Sequence, residues 1–419
     1  MTIAEKLSNS MNNTATWMAI AMGFALPIST AASNIFLGLT LFFFALSGNY
    51  YRKFQSLVRN PVALMILAFV ALTALGGLYG QGDITDKKFY FGKYASLLAA
   101  PLLMPLFSSA RHRLYALIAF SLAMLLTLVL SYALRFGWVP SATGFLADRA
   151  LTGTSNPVVF KLSITHGFLM AISAFMFALG AQYAQLFFWR RTFIILAILA
   201  GVNVLFMVIG RTGYLVLVAL ATYLFYCRFG KKGLALALFF SLAIGTLASQ
   251  LSDTFYDRTR TAIAEAQAWK PKAGDKSSIG LRLDYYSNTL AIIKDHPWFG
   301  VGVGGFEAAY SAKIKGTQMA PSNNPHNQYL LTSAQFGLLG MVALISLFAT
   351  LLWQARYLAP PYRRIAYGVL FAFLIGNTFN SFMLDFTERL FFAWICGVLF
   401  SGLPEKKDIG QTPSHLAKP

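Results

Sequence analysis

His326 stands in Pro325-His326-Asn327-Gln328-Tyr329-Leu330, where a long polar segment gives way to an apolar run that carries Gly337 and Gly340. A neutral imidazole at such a lip can take a proton from a hydroxyl near neutral pH. It can also simply cap the helix that follows. Arg211, in Ile209-Gly210-Arg211-Thr212-Gly213-Tyr214-Leu215, lies between two apolar runs. A charge in that position either snorkels to the membrane surface or marks a substrate site, and a guanidinium fork matches phosphate oxygens. Arg282 falls in the first turn of a segment, Ser278 to Lys294, that reads as an amphipathic helix with a serine N-cap. A cation there opposes the helix dipole. It needs an anionic partner, which is either Asp275 or Asp284 or a ligand such as a diphosphate seated at free amides.

The other candidates are weaker. His112 lies in a basic loop, His415 in the tail, His166 in an apolar span, and His296 precedes Pro297 at a helix end as a C-cap. Asp385, Glu388 and Arg389 read as a local ion-pair group between the last two spans. Arg149, Asn156 and Lys161 surround a loop that could touch substrate. Cys227 and Cys396 sit in or beside apolar spans as packed thiols. No Cys, His or Glu spacing fits a metal, and no cofactor is expected. Gly300, Gly302, Gly304 and Gly305 form a tight turn, but the GK[ST] ending and preceding strand of a nucleotide loop are missing.

Positioning these residues falls to membrane helices. Of the 419 residues, 57% are hydrophobic and 12% charged, with a mean hydropathy of +0.59. Soluble domains carry roughly 25% charged residues. The spacing predicts an all-α integral membrane protein with about twelve spans: 15–32, 34–48, 61–79, 89–108, 114–136, 158–181, 192–209, 212–228, 233–250, 329–354, 364–384 and 388–403. Residues 1–250 would hold nine spans, 251–328 an outer loop with two short helices, the second near Phe306–Lys313, 329–403 three spans, and 404–419 a tail. The N-terminus lacks the pattern of a cleaved signal. A net charge of +19 would suggest nucleic acid in a soluble protein. Here Arg52, Lys53, Arg59, Arg111, Arg113, Arg190, Arg191, Arg356, Arg363 and Arg364 fall in alternate loops, so orientation accounts for much of it and no nucleic-acid partner is expected. The positive-inside rule puts both termini in the cytoplasm and the large loop outside.

Three motifs resemble a known family. His326-Asn327, nine further residues and Gly337-Leu338-Leu339-Gly340 resemble the H[NSQ]-x9-G-x-x-[GTY] pattern of bacterial O-antigen ligases. Arg211-Thr212-Gly213-Tyr214-Leu215 resembles their R-x3-L pattern. His296-Pro297-Trp298-Phe299-Gly300-Val301-Gly302 is similar to the glycine-rich loop of the wider ligase/polymerase superfamily. The resemblance implies a GT-C-like glycosyltransferase of the bacterial inner membrane, with a periplasmic active site, acting in lipopolysaccharide biosynthesis. Its donor would be a polysaccharide on undecaprenyl diphosphate, its acceptor lipid A–core oligosaccharide. His326, Arg211 and Arg282 would be catalytic in a metal-independent inverting displacement. Arg211, Arg282, Asn327, Tyr214, Arg389 and Arg149 would bind substrate, with membrane lipids around them. The alternatives are an O-antigen polymerase, which shares fold, outer loop and arginines while the glycine spacing after His326 favours the ligase, and a protein O-oligosaccharyltransferase, a relative that is usually longer. A transporter would want broken, charged helices in corresponding halves, which the sequence does not show.

Overall fold

The computed structural model describes residues 2–139, 153–251, 253–270 and 274–403. Among them the chain is helical, without strands. The helices are α1 (Ile3–Ala25), α2 (Thr30–Leu46), α3 (Tyr50–Val58), α4 (Pro61–Tyr79), α5 (Ile84–Ala95), α6 (Ala99–Leu103), α7 (Ala110–Arg135), α8 (Ser163–Tyr183), α9 (Phe187–Val202), α10 (Arg211–Phe229), α11 (Lys231–Leu251), α12 (Asp253–Ala268), α13 (Ser278–Asp295), α14 (Phe306–Ile314), α15 (Gln328–Ala355), α16 (Pro360–Phe379) and α17 (Phe386–Phe400).

Among the described residues six helices are long and apolar enough to cross a membrane: α4, α7, α8, α9 with its extension to Met207, α10 and α15. The pair α2–α3 would make a seventh, but its halves diverge by 115°. Length and composition of the helices thus do not reproduce twelve spans. The segment 89–108, expected as one span, is broken into α5, a 3-10 turn at Ser96–Leu98, α6 and a second 3-10 turn at Met104–Phe107. Pro101 and Pro105 remove backbone donors there. The stretch is nonetheless buried, with Ala100, Leu103 and Phe107 inaccessible, and it packs on α17. The segment 251–328 carries α13 and α14 as expected, and α12 in addition.

A polar network runs through the apolar bundle. The His166 ring on α8 meets Asn203 Oδ1 at 3.0 Å and the Val159 amide at 3.3 Å. Asn203 Nδ2 donates to Ser131 Oγ, whose hydroxyl donates to the Pro157 carbonyl. Such bonds hold helices together where no water competes. This one fixes α7 and α8 to the π-helical turn Asn203–Met207, just before Arg211.

The glycine-rich loop has a structural role that α15 makes plain. Gly337 adopts φ +62°, ψ −153° inside this helix and breaks it. The break strips the Ala334 and Gln335 carbonyls and the Leu338 and Leu339 amides of their helical partners. The loop supplies all four. Val301 N donates to Ala334 O and Gly302 N to Gln335 O, both at 2.8 Å; Leu338 N donates to Pro297 O at 2.8 Å and Leu339 N to Trp298 O at 3.4 Å. On its other side the loop meets the end of α4, where Val303 N donates to Gly76 O and Gln81 N donates to Val301 O. Only glycine fits at the crossing: a Cβ on Gly337 would lie 2.3 Å from the Trp298 carbonyl carbon, and one on Gly302 2.2 Å from Gly80 Cα.

Gly337→Ala should therefore destabilise the protein by about 2 kcal/mol or more, through the positive φ and the clash together. Gly38→Ala on α2, where an added methyl meets nothing within 4 Å, should be neutral or slightly stabilising. Thermal unfolding of the detergent-purified variants, followed by tryptophan fluorescence, checks the contrast.

Candidate functional site

Arg211 is the first residue of α10, capped by Gly210. The preceding strand-like step is pinned by Asn156, whose Oδ1 accepts the Ile209 amide at 3.2 Å, and by Tyr214, whose hydroxyl donates to the Val208 carbonyl at 2.9 Å. Two glycines let α10 start hard against α8: a Cβ on Gly210 would sit 2.6 Å from the Ser163 carbonyl oxygen, and one on Gly213 3.1 Å from Gly167 Cα. Thr212 accepts a bond from Asn380 Nδ2 at 2.9 Å, tying this helix start to the end of α16.

Arg282 lies on α13. The cap of that helix is Ser277, whose side chain accepts the Gly280 amide, so Arg282 stands in the second turn rather than the first. Each of the two carboxylates that could have neutralised it bonds elsewhere through Oδ1, while Asp284 Oδ2 has no hydrogen-bond partner among the described residues. Asp275 Oδ1 accepts the Ser277 amide, and Asp284 Oδ1 accepts Trp269 Nε1 at 2.9 Å. Among the described residues neither Arg211 nor Arg282 forms an ion pair. Burial holds the Arg282 guanidinium below its ordinary pKa, and the nearby positive charge of Arg211 pushes the same way, against Tyr286.

His326 is a left-handed residue, φ +53°. A side chain there costs roughly 1–3 kcal/mol unless its surroundings hold it. They do: the His326 amide donates to Asn324 Oδ1 at 2.9 Å, and Ser381 Oγ donates to the same oxygen at 2.7 Å. The Tyr285 ring lies over the imidazole with centroids 5.9 Å apart. The Tyr286 hydroxyl reaches both the His326 and Thr378 carbonyls, at 3.4 and 3.3 Å. His326 does not cap α15. Asn327 does, accepting the Leu330 amide at 3.0 Å, while its Nδ2 donates to Thr378 O at 2.9 Å. The imidazole is thus spared for other work. Desolvation lowers its pKa below the ordinary 6.5, and the charge of Arg282 lowers it further.

The fold therefore gathers Arg211, Arg282 and His326 from α10, α13 and the turn before α15, stitched through Thr378 and Asn380. Tyr214 and Asn327 belong to the same neighbourhood, but the polar atoms described above are spent on backbone. Arg389 is buried in the first turn of α17, where Nη1 donates to the Leu384 carbonyl at 2.7 Å and Nε lacks a partner. The expected ion pairing with Asp385 and Glu388 is not formed, because no carboxylate oxygen comes within bonding distance of this guanidinium. Burial raises the Asp385 carboxyl to about 6, against Lys93 and Arg389. Lys161 donates to Thr30 Oγ1 at 3.1 Å. Arg149 lies outside the described residues. No group of three His, Cys, Asp or Glu among the described residues is arranged around a metal. Tyr285, Tyr286, Asn324 and Asn380 are additions from the structure. The Asn323-Asn324-Pro325 turn hinted at Asn324, whereas nothing local marked the others.

The segment that contains Arg211, Arg282, the glycine loop, His326 and Gly337 also matches a known family: residues 195–345 fit the family described as O-antigen ligase. This part of the chain is similar to the O-antigen ligase family. A similar protein from Haemophilus influenzae, described only as uncharacterized, is 32% identical over 147 residues, covering 34% of this chain and 37% of that relative.

The charge relation between Arg282 and His326 is measurable. Diethyl pyrocarbonate modifies neutral imidazole, so the rate at His326, read by peptide mass spectrometry, should fall only as pH drops through a midpoint below 6.5. Arg282→Gln removes a positive neighbour and should move that midpoint upward. An unchanged midpoint would show that the two groups do not interact, and a lower one that the positive charge of Arg282 is not what depresses His326.

Proposed function

We propose that the chain joins O-antigen polysaccharide, carried on undecaprenyl diphosphate, to a sugar hydroxyl of lipid A–core at the periplasmic face of the inner membrane. The observation that carries this reading is the meeting of two cations without carboxylate partners among the described residues and one neutral imidazole beside membrane-helix ends, all within the O-antigen ligase match. Two guanidiniums in a partly buried setting are costly unless an anion joins them. A diphosphate at the level of the membrane surface supplies it.

In the proposed reaction Arg211 and Arg282 hold the diphosphate and offset the charge that grows on it as the bond from the anomeric carbon to its oxygen breaks. The acceptor hydroxyl oxygen forms the new bond to that carbon from the opposite side, which inverts it. The hydroxyl proton passes to His326, which is kept neutral by its surroundings. A diphosphate is a good leaving group, so no general acid is required. Asn327 and Tyr214 act by positioning His326 and Arg211, and Arg389 by supporting the loop from Asn380 to Asp385. Basic loops at the other end of the bundle support cytoplasmic termini.

Arg211→Ala, Arg282→Ala and His326→Ala should each lower transfer by about 100-fold or more, the range for losing an acid–base or charge-stabilising group, with the protein still inserted. Deleting the gene in its own host should leave polymer on undecaprenyl diphosphate and bare lipid A–core on a gel. Core bearing a single repeat unit would instead identify a polymerase, and an unchanged profile would reject both.

A further inference from the structure

The glycine-rich loop carries two large rings that the proposed reaction does not use. Trp298 and Phe299 form its tip, and both are exposed. Their backbones are fixed: Trp298 O accepts the Leu339 amide at 3.4 Å, and Phe299 O accepts the Tyr79 hydroxyl at 2.8 Å. Exposed apolar side chains adjoin them on both helices that the loop touches. On α15 these are Leu338, Leu339, Val342 and Ile345, and on α4 they are Leu75 and Leu78. The spacing of Leu338, Val342 and Ile345 keeps one face of α15 apolar and exposed from the loop toward the middle of the helix.

The helix lengths give the level of the loop. After its break α15 runs eighteen residues, from Leu338 to Ala355, about 27 Å, and α4 runs 19 residues, about 28 Å. Both approach the roughly 30 Å of a hydrocarbon core. The two helices are antiparallel and matched at both ends. The loop ties Leu338 to the last turn of α4, and at the far end Pro61 and Gln354 line one cavity. That far end carries an exposed Trp353 with the Arg356 guanidinium 3.3 Å from its ring centroid, an aromatic and a cation as at a headgroup boundary. Trp298 and Phe299 stand one hydrocarbon thickness away, at the other boundary. Charge begins just before the tip: Lys294 and Asp295 are exposed at the end of α13, and Asp295 pairs with Lys313.

We propose that Trp298 and Phe299 are an interfacial anchor, with the tip of the glycine loop seated in the bilayer where headgroups meet acyl chains. Rings at that depth bury apolar area while the indole N–H keeps a polar partner. Continuity selects lipid as the occupant. The exposed stripe of a membrane-crossing α15 faces acyl chains, and the loop tip extends the same surface to the headgroups. The anchor holds the loop, and α13 behind it, at a fixed height against the membrane.

The test uses the full chain carrying Cys227→Ser and Cys396→Ser, in nanodiscs of phosphatidylcholine and phosphatidylglycerol. A nitroxide is placed in turn on Trp298→Cys, Phe299→Cys, Val342→Cys and Ala312→Cys, and its collisions with oxygen and with a water-soluble nickel chelate are compared. The labels on Trp298→Cys and Phe299→Cys should lie about 5–10 Å below the headgroup boundary, shallower than that on Val342→Cys. Ala312, exposed on α14, should be open to nickel. Trp298→Phe gives an independent reading should the cysteine variants fail to fold: the emission it removes should be quenched by acyl-brominated lipid and spared by aqueous iodide. Nickel access at the loop tip equal to that at Ala312, or quenching by iodide alone, would overturn the anchor. So would shielding of the tip from oxygen and nickel alike, which marks a tip covered by protein. Nickel access at Val342 would overturn the crossing of α15, and the anchor with it.

Discussion

Four hydrogen bonds at the break in α15 hold the rest of the structure in place. A transmembrane helix cannot leave backbone groups unpaired in hydrocarbon, so an interruption survives only if another part of the protein takes over the lost bonds. Here the residues from Pro297 to Gly302 give two donors and accept from two, which matches the two carbonyls and two amides released at Gly337. The loop cannot slide without breaking all four. Because it continues directly from α13 through the His296 cap, its anchorage sets the height and rotation of α13, and hence the place of Arg282, Tyr285 and Tyr286. The same break separates the turn of α15 that follows His326 from the membrane-crossing remainder. The glycines of the loop are packing positions that let backbone touch backbone.

From this frame the site follows as a set of strained or uncompensated groups. His326 is left-handed, Arg211 begins a helix whose dipole repels it, and Arg282 has its neighbouring carboxylates occupied by Trp269 and by the backbone at Ser277. None of these is what stability alone would select. Each is tolerated because bonds nearby over-determine it: Asn324 and Ser381 behind the histidine, Asn156, Tyr214 and the glycine contacts with α8 around the first arginine.

Much of this was legible in the sequence for local reasons. Arg211, Arg282 and His326 each stood beside a glycine, a cap or a proline that announced a helix end, and helix ends are where charge and reactivity can reach the membrane surface. The α13 and α14 helices and the His296 cap followed from spacing and caps. What stayed hidden was long-range. Nothing near residues 89–108 tells an apolar segment that crosses the membrane from one that folds back into the protein, since both are buried; the prolines were the only sign. The pairing of the glycine loop with the far side of Gly337 was invisible because neither partner carries the other's register. The loop after α16 looked like an ion-paired hairpin, yet Arg389 bonds a carbonyl, because the fold buries it where Leu384 turns back.

The arrangement also couples the parts of the proposed reaction to one another. The positive charge of Arg282 lowers the imidazole pKa, which keeps His326 neutral but makes it a weaker base. In the proposed reaction a bound diphosphate would cancel much of that charge, so Arg282 would depress the imidazole less once the donor is bound. In a partly buried site the effect is not screened away by water. Proton removal from the acceptor therefore becomes favourable when the sugar diphosphate is in place to react. As the leaving group departs and its charge grows, the imidazolium formed on His326 gains a nearby anion. On that proposal, two arginines and a histidine so placed would make the base strongest at the moment the hydroxyl must lose its proton.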